Sequence, residues 1–130
     1  MCCGRSVKSF SRVLADHPEW REPLARIVDV LRDVPDGGLI DPLLVAKLSL
    51  LDRLETIGYL DILHEAGLGQ SVVRVVDHDG VEVERFPSVA DIPARLETEF
   101  RDEIIVMPEN IDISFQPNVD AVRRAASGLG

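Results

Sequence analysis

The chain has 130 residues, of which 45% are hydrophobic and 28% charged, and its formal net charge at pH 7 is −9. This length and balance fit one folded domain and exclude a disordered chain. The acidity disfavours contact with phosphate backbones, and no apolar run suggests a membrane span or a signal-peptide core, so we expect a cytoplasmic location.

The period of the hydrophobic pattern changes near residues 67–69. Apolar residues recur every three or four positions before this point, as in helices, and every second position after it, as in strands. The sequence therefore predicts an α+β fold, with three to four helices followed by a β-hairpin, a helix and a second antiparallel strand pair. We expect a single domain over 1–130, with a helical part (1–68), a β-rich part (69–117) and a tail or short helix (118–130).

Capping residues divide the helical part. Leu24–Val34 carries an apolar stripe, and Asp41 with Pro42 has the residue types of an N-cap and a first helical position. Eight apolar residues then cover most of a helix circumference: Leu43, Leu44, Val45, Leu48, Leu50, Leu51, Leu54 and Ile57. This pattern predicts a central helix packed on several sides. Gly67 and Leu68 are typical of a left-handed helix end with an apolar contact.

Two valine-rich segments on either side of an Asp-His-Asp-Gly sequence predict a hairpin. We expect a three-residue loop, His78–Gly80, with Gly80 left-handed. That loop sets two cross-strand pairs: Val75 with Val83, and Arg74 with Glu84. A two-residue turn would instead place Arg74 opposite Arg85, which like-charge repulsion disfavours.

Beyond the hairpin, the spacing of Ile92, Leu96 and Phe100 predicts a helix over 91–102. A strand follows at 104–107. The inward face of a final strand is predicted to carry Ile111, Ile113 and Phe115.

Acidic side chains concentrate in the β-rich part and predict an interaction surface. Its candidate residues are Glu82, Glu84, Glu97, Glu99, Asp102 and Glu103, with the single tryptophan, Trp20, as a candidate anchor. The leading prediction is a non-catalytic, cytosolic, bacterial-type regulatory or adaptor protein that binds another protein, basic in character, through this surface. We also expect self-association, as a homodimer, through the apolar segment 42–66.

Three helices followed by a hairpin also invite interpretation as a winged-helix DNA-binding regulator. Its elements would be the helices Leu24–Val34, Pro42–Leu48 and Leu50–Leu60 and the wing Val72–Phe86. In this alternative Lys47 and Arg53 would contact DNA. A recognition helix needs cations and amides, and these two cations stand among carboxylates, so nucleic acid is the less favoured partner.

A third alternative is a small enzyme or ligand-binding domain with a cleft between the two halves. The sequence predicts no catalytic, cofactor-binding or metal-ligating residue. Asp77, Asp79 and Glu82 surround His78, but the twelfth position of a calcium loop would be Ser88, which cannot supply a bidentate carboxylate. Cys2 and Cys3 are adjacent and are expected to be ordinary exposed thiols.

Overall fold

The computed structural model describes residues 9–98 and 102–129, which contain five α-helices and five β-strands. The helices are α1 (Phe10–Asp16), α2 (Arg21–Leu31), α3 (Pro42–Ser49), α4 (Arg53–Glu65) and α5 (Val119–Leu129). The strands are β1 (Gly69–Val76), β2 (Glu82–Phe86), β3 (Arg95–Glu97), β4 (Glu103–Ile105) and β5 (Ile111–Pro117). The predicted α+β class is confirmed, and α5 confirms the helical alternative for the C-terminal segment.

The residues group into two compact units whose boundaries lie within β1 and β5. The first unit contains residues 9–70 and 115–129, and the second contains 71–114. In the first unit α2 packs against α3 and α5, and α3 packs against α4. The core of this unit includes Leu24, Ile27, Leu63 and Phe115, all nearly or fully buried. No helix in the described ranges has the length and apolar character needed to cross a bilayer.

Capping explains where the long helices begin and end. The Asp41 side chain accepts from the backbone N–H of Leu43 at the start of α3. At the end of α4 the N–H of Leu68 donates to the carbonyl of Leu63 (2.9 Å), and Gly67 is left-handed with φ +83°. This is the Schellman arrangement that the sequence predicted.

The prediction of one central helix over 43–57 is wrong. The segment forms two helices, because Leu50 adopts a left-handed conformation and Asp52 caps a new helix by accepting from the N–H groups of Leu54 and Glu55. The division near Leu50 agrees with the helices of the winged-helix alternative. Most of the apolar side chains expected in the interior are exposed instead.

The strands form a three-stranded sheet, in the order β2-β1-β5, and a two-stranded sheet of β3 and β4. β2 is antiparallel to β1, and β4 is antiparallel to β3. The predicted strand at 104–107 is therefore present as β4, although its partner is β3.

The hairpin loop is confirmed, but the predicted register is wrong. Gly80 is left-handed, and the N–H of Asp77 donates to the carbonyl of Val81, which closes a three-residue loop. The predicted register holds only next to the loop, because a bulge beyond Val76 shifts it by one residue. The resulting pairs are Val75 with Glu84 and Arg74 with Arg85.

The predicted helix over 91–102 is wrong in its described part. Val89–Asp91 is one 3₁₀ turn, and β3 occupies Arg95–Glu97. Ile92 has extended backbone (φ −74°, ψ 122°), because the ring of the following Pro93 disfavours helical geometry at the preceding residue. Phe100, the last apolar residue of the predicted stripe, lies outside the described residues.

The predicted inward face of the last strand is only partly correct. Phe115 is 1% exposed and belongs to the core of the first unit, where its backbone pairs with Ile40. Ile113, in contrast, is 48% exposed.

Candidate functional site

The most unusual surface of the first unit is apolar. Six large apolar side chains of α3, α4 and the turn between them are 44–83% exposed: Leu43, Leu44, Leu48, Leu50, Leu54 and Ile57. We call this set the α3–α4 apolar surface. Single exposed leucines are common in soluble proteins, but contiguous apolar patches mark interaction sites. Two packed helices that both expose leucines therefore form a candidate binding surface.

Leu50 is the most exposed of the six and has the least favourable backbone. Its φ of 59° makes it the one non-glycine residue with positive φ in the described ranges. The N–H of Leu51 donates to Ala46 (3.0 Å) and that of Leu50 donates to Lys47 (3.3 Å), so leucine stands where this type of helix end usually has glycine. At 83% exposure, Leu50 gains almost no burial in return.

Both signs of charge surround this surface, with acids in excess. The carboxylates of Asp41 and Asp52 are held at the starts of α3 and α4. Glu55 and Asp61 are exposed on α4. The cations predicted for DNA contact, Lys47 and Arg53, are exposed on α3 and α4, and neither makes an ion pair within the described ranges.

The predicted acidic surface lies in the second unit and is not one cluster of free carboxylates. Glu82 forms ion pairs with both Arg74 and Arg85, and Glu103 lies 3.4 Å from Arg95. Glu97 faces Glu103 across the two-stranded sheet, a like-charge pair that is locally unfavourable. Of the other candidate residues of the predicted surface, Glu84 and Asp102 are exposed, whereas Glu99 lies outside the described residues.

The tightest polar network of the second unit joins β2, β1 and β5. The Nε of Arg74 donates to the carboxylate of Asp112 (2.7 Å), Ser114 donates to the same oxygen (2.9 Å), and Glu82 lies between Arg74 and Arg85. Hydrogen bonding to Asp112 raises the pKa of Arg74. Partial burial alone would raise the pKa of Asp112, but the bonds from Arg74 and Ser114 and the charge of Arg74 outweigh burial and lower it. This network neutralises the facing Arg74 and Arg85, which explains why their repulsion does not set the register.

Trp20 is half-buried between two other rings. It stacks on His17 with ring centroids 3.8 Å apart and meets Tyr59 edge-on at 6.3 Å. It also packs against the core of the first unit. Trp20 is therefore a packing residue, and a partner could contact only the exposed part of its ring.

The Asp-rich turn of the hairpin uses its first carboxylate internally. One oxygen of Asp77 accepts from the N–H groups of both Asp79 and Val81 (2.9 Å each), which is the usual role of Asp in such a turn. In the described part of the chain, no three His, Cys, Asp or Glu side chains are grouped closely enough to hold a metal ion. Cys2 and Cys3 lie outside it.

The sequence contained a signal for the division between α3 and α4 that the apolar pattern obscured. Asp52 followed by Glu55 is the spacing of an N-cap and an acidic third helical residue. A helix beginning there places Leu50 in the connecting turn rather than in a helix interior.

Comparison with known proteins adds no relative. No family model matches the sequence, and no curated protein or solved structure is significantly similar to it.

Proposed function

We propose that this protein is a small cytosolic regulatory or adaptor protein that binds another protein and does not act by catalysis. The observation that supports this proposal is the α3–α4 apolar surface, above all Leu50, which combines positive φ with 83% exposure. The surface proposed for the main contact thus differs from the acidic one that the sequence suggested.

The free energy associated with Leu50 favours a partner. A left-handed conformation costs an L-residue with a Cβ about 1–2 kcal/mol, and glycine or asparagine would avoid most of that cost. Burying a leucine side chain contributes about 1.5–3 kcal/mol, which Leu50 does not gain within its own chain. A partner that covers Leu50 would supply this free energy of burial. Backbone strain at an exposed apolar residue is thus better explained by binding than by folding.

Charge defines the kind of partner. Within residues 41–61 four carboxylates stand against two cations, and the whole chain carries −9. A second copy would bring the same excess of negative charge to the interface. We therefore propose a partner whose apolar face is flanked by Lys and Arg. The exposed acids of the second unit would increase the rate of its association through their long-range field.

The test uses two matched charge insertions at exposed apolar positions. Leu54→Glu lies in the α3–α4 apolar surface, whereas Ile105→Glu lies on β4, and the two native side chains are 73% and 62% exposed. Each tagged protein is used to capture proteins from a native lysate, with and without nuclease treatment. The captured partner is then purified and its Kd is measured for all three chains.

The proposal predicts that wild type and Ile105→Glu bind the same protein with equal Kd, and that Leu54→Glu binds at least tenfold more weakly. Equal binding by all three chains would contradict it. A dimer in light scattering that Leu54→Glu dissociates would instead establish self-association. Salt-dependent capture of nucleic acid without nuclease would favour the winged-helix alternative.

A further inference from the structure

A groove between α1 and α5 in the first unit has no role in the proposed function. Its volume is about 580 Å³, within the range of about 300–1,000 Å³ that is typical of small-molecule sites. Phe10 and Leu14 of α1 line one side, and Ala121 and Ala125 of α5 line the other. Leu68, which is 2% exposed, lies between them.

The floor of the groove is part of the hydrophobic core. Leu68 and Ala125 are buried core residues, and Phe10, Leu14 and Ala121 pack against that core. The small side chains of Ala15, Ala66, Ala121 and Ala125, with Gly128, leave the space between the two helices open. The groove therefore has an apolar floor that a ligand can contact.

The charge of the lining is opposite to that of the chain. Although the sequence has 23 acidic residues, none of the described Asp or Glu residues lines this groove, and the charged residues among its described lining are Arg21 and Arg124. Arg21 donates one long hydrogen bond to the carbonyl of Gly128 (3.4 Å). Arg124 has neither a hydrogen bond nor an ion pair with the described residues. By contrast, Arg26 on α2 and Arg32 at the C-cap of α2 form ion pairs with Glu22 and Asp29, respectively.

We propose that the groove binds a single-chain carboxylate amphiphile, such as a fatty acid. The alkyl chain would lie on the apolar floor, and the carboxylate would accept hydrogen bonds from Arg21 and Arg124. Guanidinium groups suit this role because they are weakly hydrated and their geometry matches a carboxylate. This inference is independent of partner binding at the α3–α4 apolar surface.

Titration calorimetry of the full chain with decanoate, below its micelle concentration, tests the inference. Decanol and decyltrimethylammonium serve as probes with the same chain and a neutral or cationic head. Arg124→Gln removes one proposed contact, and Arg123→Gln is its matched control, since Arg123 is exposed on the same helix and does not line this groove. Ala15→Phe, at an exposed position on α1, fills the groove without entering the core.

We expect saturable binding of one decanoate per chain, much weaker binding of the other two probes, and no effect of Arg123→Gln. Arg124→Gln should weaken binding by about tenfold. Ala15→Phe should abolish binding while it retains the circular dichroism spectrum of the wild type. Absence of saturable binding would overturn the proposal. So would equal binding of all three probes, or equal effects of Arg123→Gln and Arg124→Gln.

Discussion

At residue 50 a leucine occupies a conformation that asparagine adopts more readily, and its side chain is exposed. Leu50→Asn should therefore be more stable than Leu50→Ala by about 0.5–1 kcal/mol. Both substitutions remove the exposed leucine side chain, but only asparagine tolerates positive φ well. Urea unfolding of the two variants measures this difference. If alanine were equally stable, the left-handed conformation would not be strained.

Ser49, next to Leu50, offers a second test at this scale. Its side chain is 1% exposed, and its hydroxyl has no hydrogen-bond partner among the described residues. Ser49→Ala should raise the free energy of unfolding by about 1 kcal/mol, since a buried hydroxyl without a partner is costly and alanine is the better helix former. A loss of stability in the same urea experiment would mean that the hydroxyl is satisfied.

The conformation or role of a residue could be predicted where few other residue types suit its position. Gly67 and Gly80 were correctly expected to be left-handed, and Asp41 to cap a helix, because few other residues serve those positions well. Leu50 could not be predicted in the same way. Leucine has no preference for positive φ, so the pattern of its neighbours suggested a helix interior.

Among the elements, α4 and β1 contain glycines in opposite environments. A Cβ at Gly58, inside α4, would meet no atom of the described residues within 4 Å, whereas one at Gly69, in β1, would lie 2.5 Å from the Phe115 ring and 2.6 Å from a backbone oxygen. Gly58→Ala should raise the free energy of unfolding by about 0.5–1 kcal/mol, and Gly69→Ala should lower it by about 2–3 kcal/mol. Thermal unfolding of both variants compares them, and the same sign of effect at both sites would contradict the structure.

The ion network across β2, β1 and β5 predicts how stability depends on pH. Because the pKa of Asp112 is lowered on folding, its contribution is complete above the ordinary carboxyl pKa of about 4. That contribution is lost as the pH falls below this value, since the unfolded chain takes up the proton first. The stability difference between wild type and Asp112→Asn should therefore be larger at pH 7 than at pH 3. Urea unfolding at both pH values measures it, and a difference independent of pH would exclude this role for Asp112.

The elements show where the sequence pattern was decisive and where it was not. The helix boundaries set by Asp41 and Gly67 follow from local chemistry, and so does the hairpin loop. The register of the hairpin did not follow, because Asp112 is distant in sequence and joins Glu82 in compensating the facing arginines. The expected helix over 91–102 relied on apolar spacing, which the restriction before Pro93 overrode.

For the whole molecule, the hydrophobic pattern predicted the α+β class and composition predicted the negative charge, but neither identified the surface most suited to binding. A sequence pattern assigns apolar residues to the interior, so the exposed leucines of α3 and α4 have the same pattern as one buried central helix. Only the left-handed backbone at Leu50 shows that the segment forms two helices. The acidic residues that did stand out are in part neutralised by arginines. The proposed function depends on the six exposed residues of the α3–α4 apolar surface.

The most direct test of that proposal is photo-crosslinking in native cells, with benzoylphenylalanine in place of Leu54 or, as the control, Ile105. We expect one adduct with a different protein, formed from position 54 and absent from position 105. Adducts that are absent or the same at both positions, or an adduct with twice the mass of this chain, would contradict it.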